Sequence, residues 1–170
     1  DLAVDESGGF VITSYDARSG SMVHGFDRRG TRLGSWIDSW AVGLDVTARH
    51  ARAFAYAFID ALPGNEGYVY TPYHPREIVR ISPNGDVSWR ASLEEAGFDV
   101  EPIYAVDGDK TTIGMHTRPI GTVVLPGRGV LTGTVKYDAE SDDWNRTLLQ
   151  LMSSNNGSVI ARAIVERYSS

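Results

Sequence analysis

Cysteine is absent from this chain of 170 residues, which excludes disulfide frameworks, Cys-ligated zinc, iron–sulfur clusters and thiol nucleophiles. Long apolar runs are also missing: the longest, from Ala53 to Ile59, is far shorter than the roughly 20 residues of a membrane-spanning helix. Basic residues are outnumbered, with 16 Lys and Arg against 22 Asp and Glu and a net charge of -6. We therefore expect neither nucleic-acid binding nor membrane insertion, because binders of phosphate-rich surfaces need a dense basic face.

The composition is that of a folded domain. Hydrophobic residues make up 42% of the chain and charged residues 22%, enough apolar surface for a core. The length suggests one domain or a piece of one. The chain begins at Asp1 with no signal-like segment, which predicts a processed or excised product. No pattern fixes the compartment, and an extracytoplasmic or secreted location is favoured.

Turn-forming residues, 18 Gly and 7 Pro, are spread along the chain between short apolar runs. This spacing of turn-forming residues is typical of many short strands, so the sequence predicts an all-β fold. The runs that predict strands are Phe10 to Thr13, Tyr68 to Thr71, Glu77 to Ile81, Thr122 to Leu125, Val130 to Tyr137 and Ser158 to Val165.

Two segments also carry helical signals. Ser92 and Glu95 have capping-box spacing before Gly97, which predicts one helical turn. Residues 51–62 fit either one face of a helix or a strand that alternates aromatic residues with alanines. We favour the strand; the helical interpretation leads to the alternative fold, a β-sandwich with a helix near 46–62.

An internal repeat is visible in the sequence. The stretch from Gly9 to Tyr15, GFVITSY, matches that from Gly67 to Tyr73, GYVYTPY, and each is followed by an apolar strand, a Gly turn and a Trp. A weaker third copy begins at Gly129. A short strand precedes each copy; these strands are Leu2 to Asp5, Leu44 to Thr47 and Tyr104 to Asp107. We therefore predict about three four-stranded units, near 1–42, 43–102 and 103–170, stacked face to face.

With its strands ending in Val-Asp and its Gly-aromatic-Val strands, the chain resembles a β-propeller of the NHL or YncE-like type. Residues 1–40 carry this resemblance best. It implies four-stranded blades around a central axis, but propellers close with typically four to eight blades, and about three are found here. We therefore expect an incomplete ring that is part of a longer chain, or half of a ring formed by a homodimer.

Aspartates recur at the first strand of each copy. Asp5, Asp45 and Asp107 are candidates for a metal site, because carboxylates that converge on a channel can hold Ca²⁺. The competing interpretation is structural, since aspartate side chains commonly bond nearby backbone amides in turns.

Loops supply the other candidate site residues. Tyr73, His74 and Arg76 combine an aromatic ring, an imidazole and a cation in a proline-rich loop, which is suited to binding a ligand or placing a general base. His116 allows the same role, and Trp144 in an acidic loop is a candidate binding contact. Trp36 and Trp89 occupy equivalent positions in the repeat, which predicts packing between sheets.

Signatures of serine nucleophiles and of nucleotide loops are absent from the sequence. The sequence therefore favours a binding or scaffold module that recognises a protein, peptide or glycan through loops on one face. The alternative is a propeller hydrolase or lyase, with a metal-assisted site of carboxylates and His74 or His116 in the central channel.

Overall fold

The structure, a computed structural model, describes residues 1–16, 18–38, 56–93, 95, 97, 98, 103–107, 110–114, 117–138 and 143–166. Across these residues the chain is all-β, and its one helical element is a 3₁₀ turn, Pro63–Asn65. The strands are β1 (Leu2–Val4), β2 (Phe10–Thr13), β3 (Ser21–Phe26), β4 (Arg32–Asp38), β5 (Ala57–Ala61), β6 (Tyr68–Pro72), β7 (Glu77–Ile81), β8 (Val87–Ser92), β9 (Ile103–Asp107), β10 (Lys110–Gly114), β11 (Thr117–Leu125), β12 (Gly129–Asp138), β13 (Asp143–Met152) and β14 (Val159–Glu166).

Twelve of these strands form three four-stranded antiparallel sheets, each with its strands in chain order. The first sheet is β1–β4, the second β5–β8 and the third β11–β14, while β9 and β10 form a separate hairpin. Within each sheet, every strand pairs with the next strand along the chain, as short connections favour. The predicted all-β fold with blade-like four-stranded units is therefore confirmed, and the two-sheet sandwich does not describe it.

The second sheet lies between the other two, and its central strands are buried on both faces. Tyr70 and Val79 belong to an apolar cluster shared with Val11 and Val23 of the first sheet. From the opposite face, Ile78 joins a second cluster that includes residues of the third sheet. Full burial of an aliphatic side chain contributes roughly 1.5–3 kcal/mol, so these two layers carry much of the stability.

Hydrogen bonds align the first two sheets in parallel at a constant offset. The Asp1 carboxylate accepts from Ile59 N–H (3.0 Å), and Glu6 accepts from Gly64 N–H (2.9 Å). Ser7 N–H donates to the Asn65 side chain (3.1 Å). Each of these bonds joins residues 58 apart. The sequence match between Gly9 and Gly67 has the same offset, so matching residues of the two copies occupy matching places in successive sheets.

Tryptophans of the fourth strands dock neighbouring sheets. The Trp36 ring, on β4, contacts Gly85 in the turn between β7 and β8. The Trp89 ring, on β8, packs on Gly157 in the corresponding turn of the third sheet, and its Nε1–H donates to the Ser154 carbonyl (3.1 Å). The prediction that both tryptophans pack between sheets is confirmed.

Three local predictions need correction or comment. The strand Tyr104 to Asp107 does not begin the third sheet: β9 pairs with β10, and β11 takes the first position. Residues 57–61 of the ambiguous segment are a strand, whereas the predicted strand at 44–47 and residues 46–55 lie outside the described residues. At the predicted helical turn, Ser92 is the last residue of β8, and the Phe98 N–H donates to the Glu95 carbonyl (2.8 Å) in a turn.

Candidate functional site

Each sheet has two ends with different connections. The turn end, as we name it, carries the links between strands one and two and between strands three and four, each three to six residues long. The loop end carries the links between strands two and three and the connections to the next sheet. Residues 39–56 and 93–116 make those connections, the second including the hairpin of β9 and β10. Binding residues are commonly found on long loops held by a rigid scaffold, so the loop end is the candidate surface.

The predicted loop of Tyr73, His74 and Arg76 lies at the loop end, between β6 and β7. The Tyr73 ring stacks near Phe58, with centroids 6.0 Å apart. The half-buried Arg76 guanidinium donates to the carbonyls of Leu93 (2.9 Å) and Phe98. Arg76 thus holds the segment that follows β8. His74, also half-buried, sits between these two anchored side chains.

Asp5 lies at the opposite, turn end of the first sheet. Its Oδ1 accepts from the backbone N–H groups of Ser7 and Gly9 (both 2.9 Å) and from the Ser7 hydroxyl (2.6 Å). Its Oδ2 accepts from the Tyr68 hydroxyl (2.7 Å). Burial opposes ionisation of Asp5, but the hydrogen bonds from Ser7, Tyr68 and Gly9 outweigh it and hold the pKa of Asp5 below its ordinary value. The carboxylate therefore organises its own turn and fastens it to the second sheet.

The structure does not bring Asp5 and His74 together, since they lie at opposite ends of the sheets. Asp45 and His116 lie outside the described residues, as do the side chains of Asp107 and Trp144. Within the part of the chain that the structure describes, no three His, Asp or Glu residues are grouped so that they could hold a metal ion. In that same part, no helix is long or apolar enough to span a membrane.

A site that the sequence did not single out surrounds His24, on the outer face of the first sheet. His24 is 4% exposed, although it lies in β3 on the face that points away from the second sheet. Its Nε2–H donates to the Ser14 carbonyl (2.8 Å), because a carbonyl can only accept. In a neutral ring Nδ1 is then the acceptor, and it faces the Ser35 hydroxyl (3.1 Å) and the Arg32 guanidinium (3.0 Å).

Arg32 links this histidine to the loop between β2 and β3. Its Nη2 forms an ion pair with Asp16 (2.9 Å) and also donates to the Ser35 hydroxyl. The hydrogen bond from Arg32, with a further one from the Arg18 backbone, lowers the pKa of Asp16 to about 2. Asp16 is therefore ionised at neutral pH. Asp16, Arg32, Ser35 and His24 form one connected group of charged and polar side chains.

A cavity of about 440 Å³ opens beside this group. Its lining combines charged and polar residues with apolar ones; the former include Asp16, Arg18, His24 and Arg32, and the latter Ile12 and Phe26. The cavity is shallow and open to solvent. The arrangement places charged, polar and apolar side chains together on the outer face of the first sheet.

The repeat itself contains the signal for this site. At the 58-residue offset, Tyr15 and Arg18 correspond to Tyr73 and Arg76 of the predicted loop. A histidine inside the apolar run of β3 is the second signal, because a buried polar side chain must find partners. Neither feature matches a metal-binding spacing, because the partners of His24 are a backbone carbonyl, a serine and an arginine.

Comparison with known proteins gives no family for this chain: no protein-family model matches it, and no curated protein does.

Proposed function

We propose that this chain is an arc of a β-propeller of the NHL or YncE-like type, and that it serves as a binding or scaffold module. In this proposal a protein, peptide or glycan partner is recognised at the loop end. One observation carries it. The turn end is made of links of three to six residues, whereas connections as long as 39–56 and 93–116 leave from the loop end.

The stacking of the sheets supports the propeller part of the proposal. The inner strands β1, β5 and β11 are neighbours, and they are linked by carboxylates. Asp1 accepts from the backbone of β5, and Asp60 of β5 accepts from Val124 N–H of β11 (2.7 Å). First strands that line a common axis, with later strands outside, are the arrangement expected of successive blades.

The end sheets support an assembly larger than one such arc. The first sheet turns Leu2 and Val4 outward, exposed to 54% and 56%. The third sheet exposes Val123 and Val165 on its outer face. We propose that these faces are covered by further sheets, supplied by a second copy in a homodimer or by a longer chain, because open apolar faces favour association.

A display experiment tests the binding proposal. A random peptide library and a glycan array are screened against the immobilised chain, and each ligand found is measured on His74→Ala and on Asn84→Ala. His74 lies at the loop end and exposed Asn84 at the turn end, so the pair separates the two surfaces.

We expect His74→Ala to weaken binding about tenfold, as loss of a central contact does, and Asn84→Ala to change it little. Circular dichroism of both variants must match that of the wild type. Ligands weakened equally by both variants, or no ligand from either screen, would contradict the proposal.

A further inference from the structure

We propose that the outer face of the first sheet docks a further four-stranded sheet whose last strand carries a tryptophan, and that this ring packs on the turn of Gly30. The inference rests on the proposed function, because it specifies the chemistry of the partner that covers this face. A second copy of the chain is not that partner, since its third sheet has no tryptophan in the corresponding place.

The turns between the third and fourth strands of the three sheets have the same backbone arrangement. In each turn a glycine N–H donates to the carbonyl of the residue that directly follows the third strand. These bonds join Gly30 to Asp27, Gly85 to Ser82 and Gly157 to Ser153, each at 2.9 Å. The three glycines also share a positive φ, between 71° and 93°. They therefore occupy equivalent places in successive sheets.

Two of these three turns receive a tryptophan from the preceding sheet. Trp36 of the first sheet packs on Gly85, and Trp89 of the second sheet packs on Gly157. At Gly30, no described atom lies within 4 Å of the point where a Cβ would project. The turn of Gly30 thus has the geometry of the other two turns, and among the described residues no ring packs on it.

The outer face of the first sheet matches the face of the second sheet on which the first sheet packs. Phe10 corresponds to Tyr68 at the 58-residue offset of the repeat, and it pairs with Phe26 as Tyr68 pairs with Ile81. Tyr68 and Ile81 are buried in the cluster between the first two sheets. Phe10 and Phe26 stack with centroids 5.0 Å apart. Their face is therefore suited to a neighbour that packs as the first sheet packs on the second.

The third sheet of a second copy is an incomplete neighbour for this face. Register is counted from the first paired residue of each fourth strand, and these residues are Arg32, Val87 and Val159. On this count Ala163 corresponds to Trp36 and Ala161 to Trp89. Both alanines are exposed, and they pair with Leu149 and Leu151 on the face that points away from the second sheet. Two copies can thus bring apolar faces together, but a methyl group stands in the place of the indole ring.

The turn selects tryptophan over other aromatic residues because it offers a hydrogen-bond acceptor. Trp89 donates from Nε1 to the carbonyl of Ser154, the second residue of its turn (3.1 Å). Arg28 holds the second position in the turn of Gly30, so its carbonyl is the expected acceptor for the partner's ring. A phenylalanine has no donor to offer there. An aromatic side chain buries roughly 150–250 Å², so the ring also adds a large apolar contact.

The test places the ring on the chain itself. Ala161→Trp and Ala163→Trp each put an indole on the outer face of the third sheet, from which a second copy can present it to the turn of Gly30. Sedimentation over a concentration series measures the dissociation constant of self-association. We expect at least one of the two variants to associate about tenfold more tightly than the wild type, as a central tryptophan contact does.

Gly30→Ala is the decisive second change. Its Cβ has no neighbour in the free chain, but it would occupy the place of the ring. Added to the tighter variant, it should remove the gain. Gly64→Ala is the matched control, because Gly64 lies in the second sheet with φ of 67° and a Cβ there would also meet no described atom within 4 Å. With this control change the gain should remain.

Three results would overturn the inference: no tightening by either tryptophan, a gain that survives Gly30→Ala, or a gain lost equally with Gly64→Ala. Failure here is distinguishable from failure of the proposed function. If ligands from the display screens depend on His74 and neither tryptophan tightens association, only the inference is wrong. If no ligand is found and neither tryptophan tightens association, both are wrong.

Discussion

Gly85 shows, at the scale of single residues, how one missing side chain makes room for sheet packing. The Trp36 ring occupies the space where a Cβ on Gly85 would project, and Gly25 and Gly34 of the first sheet border the same ring. Gly85 also has φ of 93°, in the region that disfavours side chains. Gly30, in the corresponding turn of the first sheet, has φ of 80°, but a Cβ at that position would have no other atom within 4 Å.

These two glycines form a matched pair for mutation. Gly30→Ala should cost only the left-handed backbone strain, about 1 kcal/mol in the free energy of unfolding. Gly85→Ala should cost about 3 kcal/mol, because displacement of the Trp36 ring is added to the same strain. Urea unfolding of both variants measures the difference. Equal costs would show that Trp36 does not pack on Gly85.

The sequence is least informative about the contacts of single residues. The sequence marks Asp5 as a residue of interest but leaves two interpretations, and the structure shows its carboxylate bonded to Ser7, Gly9 and Tyr68. His24 carries no spacing motif, because its partners Ser14 and Arg32 come from other parts of the sheet. Contacts between strands depend on register, which the sequence pattern does not specify.

At the scale of elements, the inner strands are joined by side chains rather than by a shared backbone ladder. Asp60 accepts from the N–H of Ala61 (2.8 Å) through one oxygen and from Val124 N–H (2.7 Å) through the other. Thr122 of β11 also donates to the Thr71 hydroxyl of β6 (2.7 Å). The coupling of the second and third sheets through their first strands thus depends on a few polar contacts beside the apolar cluster.

Asp60→Ala tests that coupling. The variant leaves the Val124 N–H without its acceptor, so we expect a loss of about 1–2 kcal/mol in the free energy of unfolding. Asp86→Ala removes an exposed carboxylate from a turn and should change stability by less than about 0.5 kcal/mol. Chemical denaturation provides both values. A cost for Asp60→Ala no larger than that for Asp86→Ala would mean that the inner strands are not coupled in this way.

Sequence patterns predict the positions of individual strands best. The runs from Phe10 to Thr13 and from Glu77 to Ile81 coincide with β2 and β7, because alternation and flanking turns mark both strands. The prediction for the first strand of the third sheet is wrong for a local reason. Gly108-Asp109 is a two-residue link of the kind that favours a hairpin, which lets β9 pair with β10 instead.

At the scale of the whole molecule, the three sheets have unequal surroundings. The second sheet is covered on both faces, whereas the first and third each have one outer face that carries apolar side chains. On the first sheet these include Leu2 and Val4, and on the third Val123 and Val165. Closure of the proposed ring by two copies would join the first sheet of one copy to the third sheet of the other.

The mass of the chain in solution tests the open arc of stacked sheets most directly. Light scattering over a concentration series should give a mass that rises from 18.6 kDa towards twice that value. Val165→Glu, which places a charge on the outer face of the third sheet, should hold the chain at 18.6 kDa. Val87→Glu, at an exposed position in the last strand of the second sheet, should not. A wild-type mass of 18.6 kDa at every concentration would contradict the association of the open arc with a second copy.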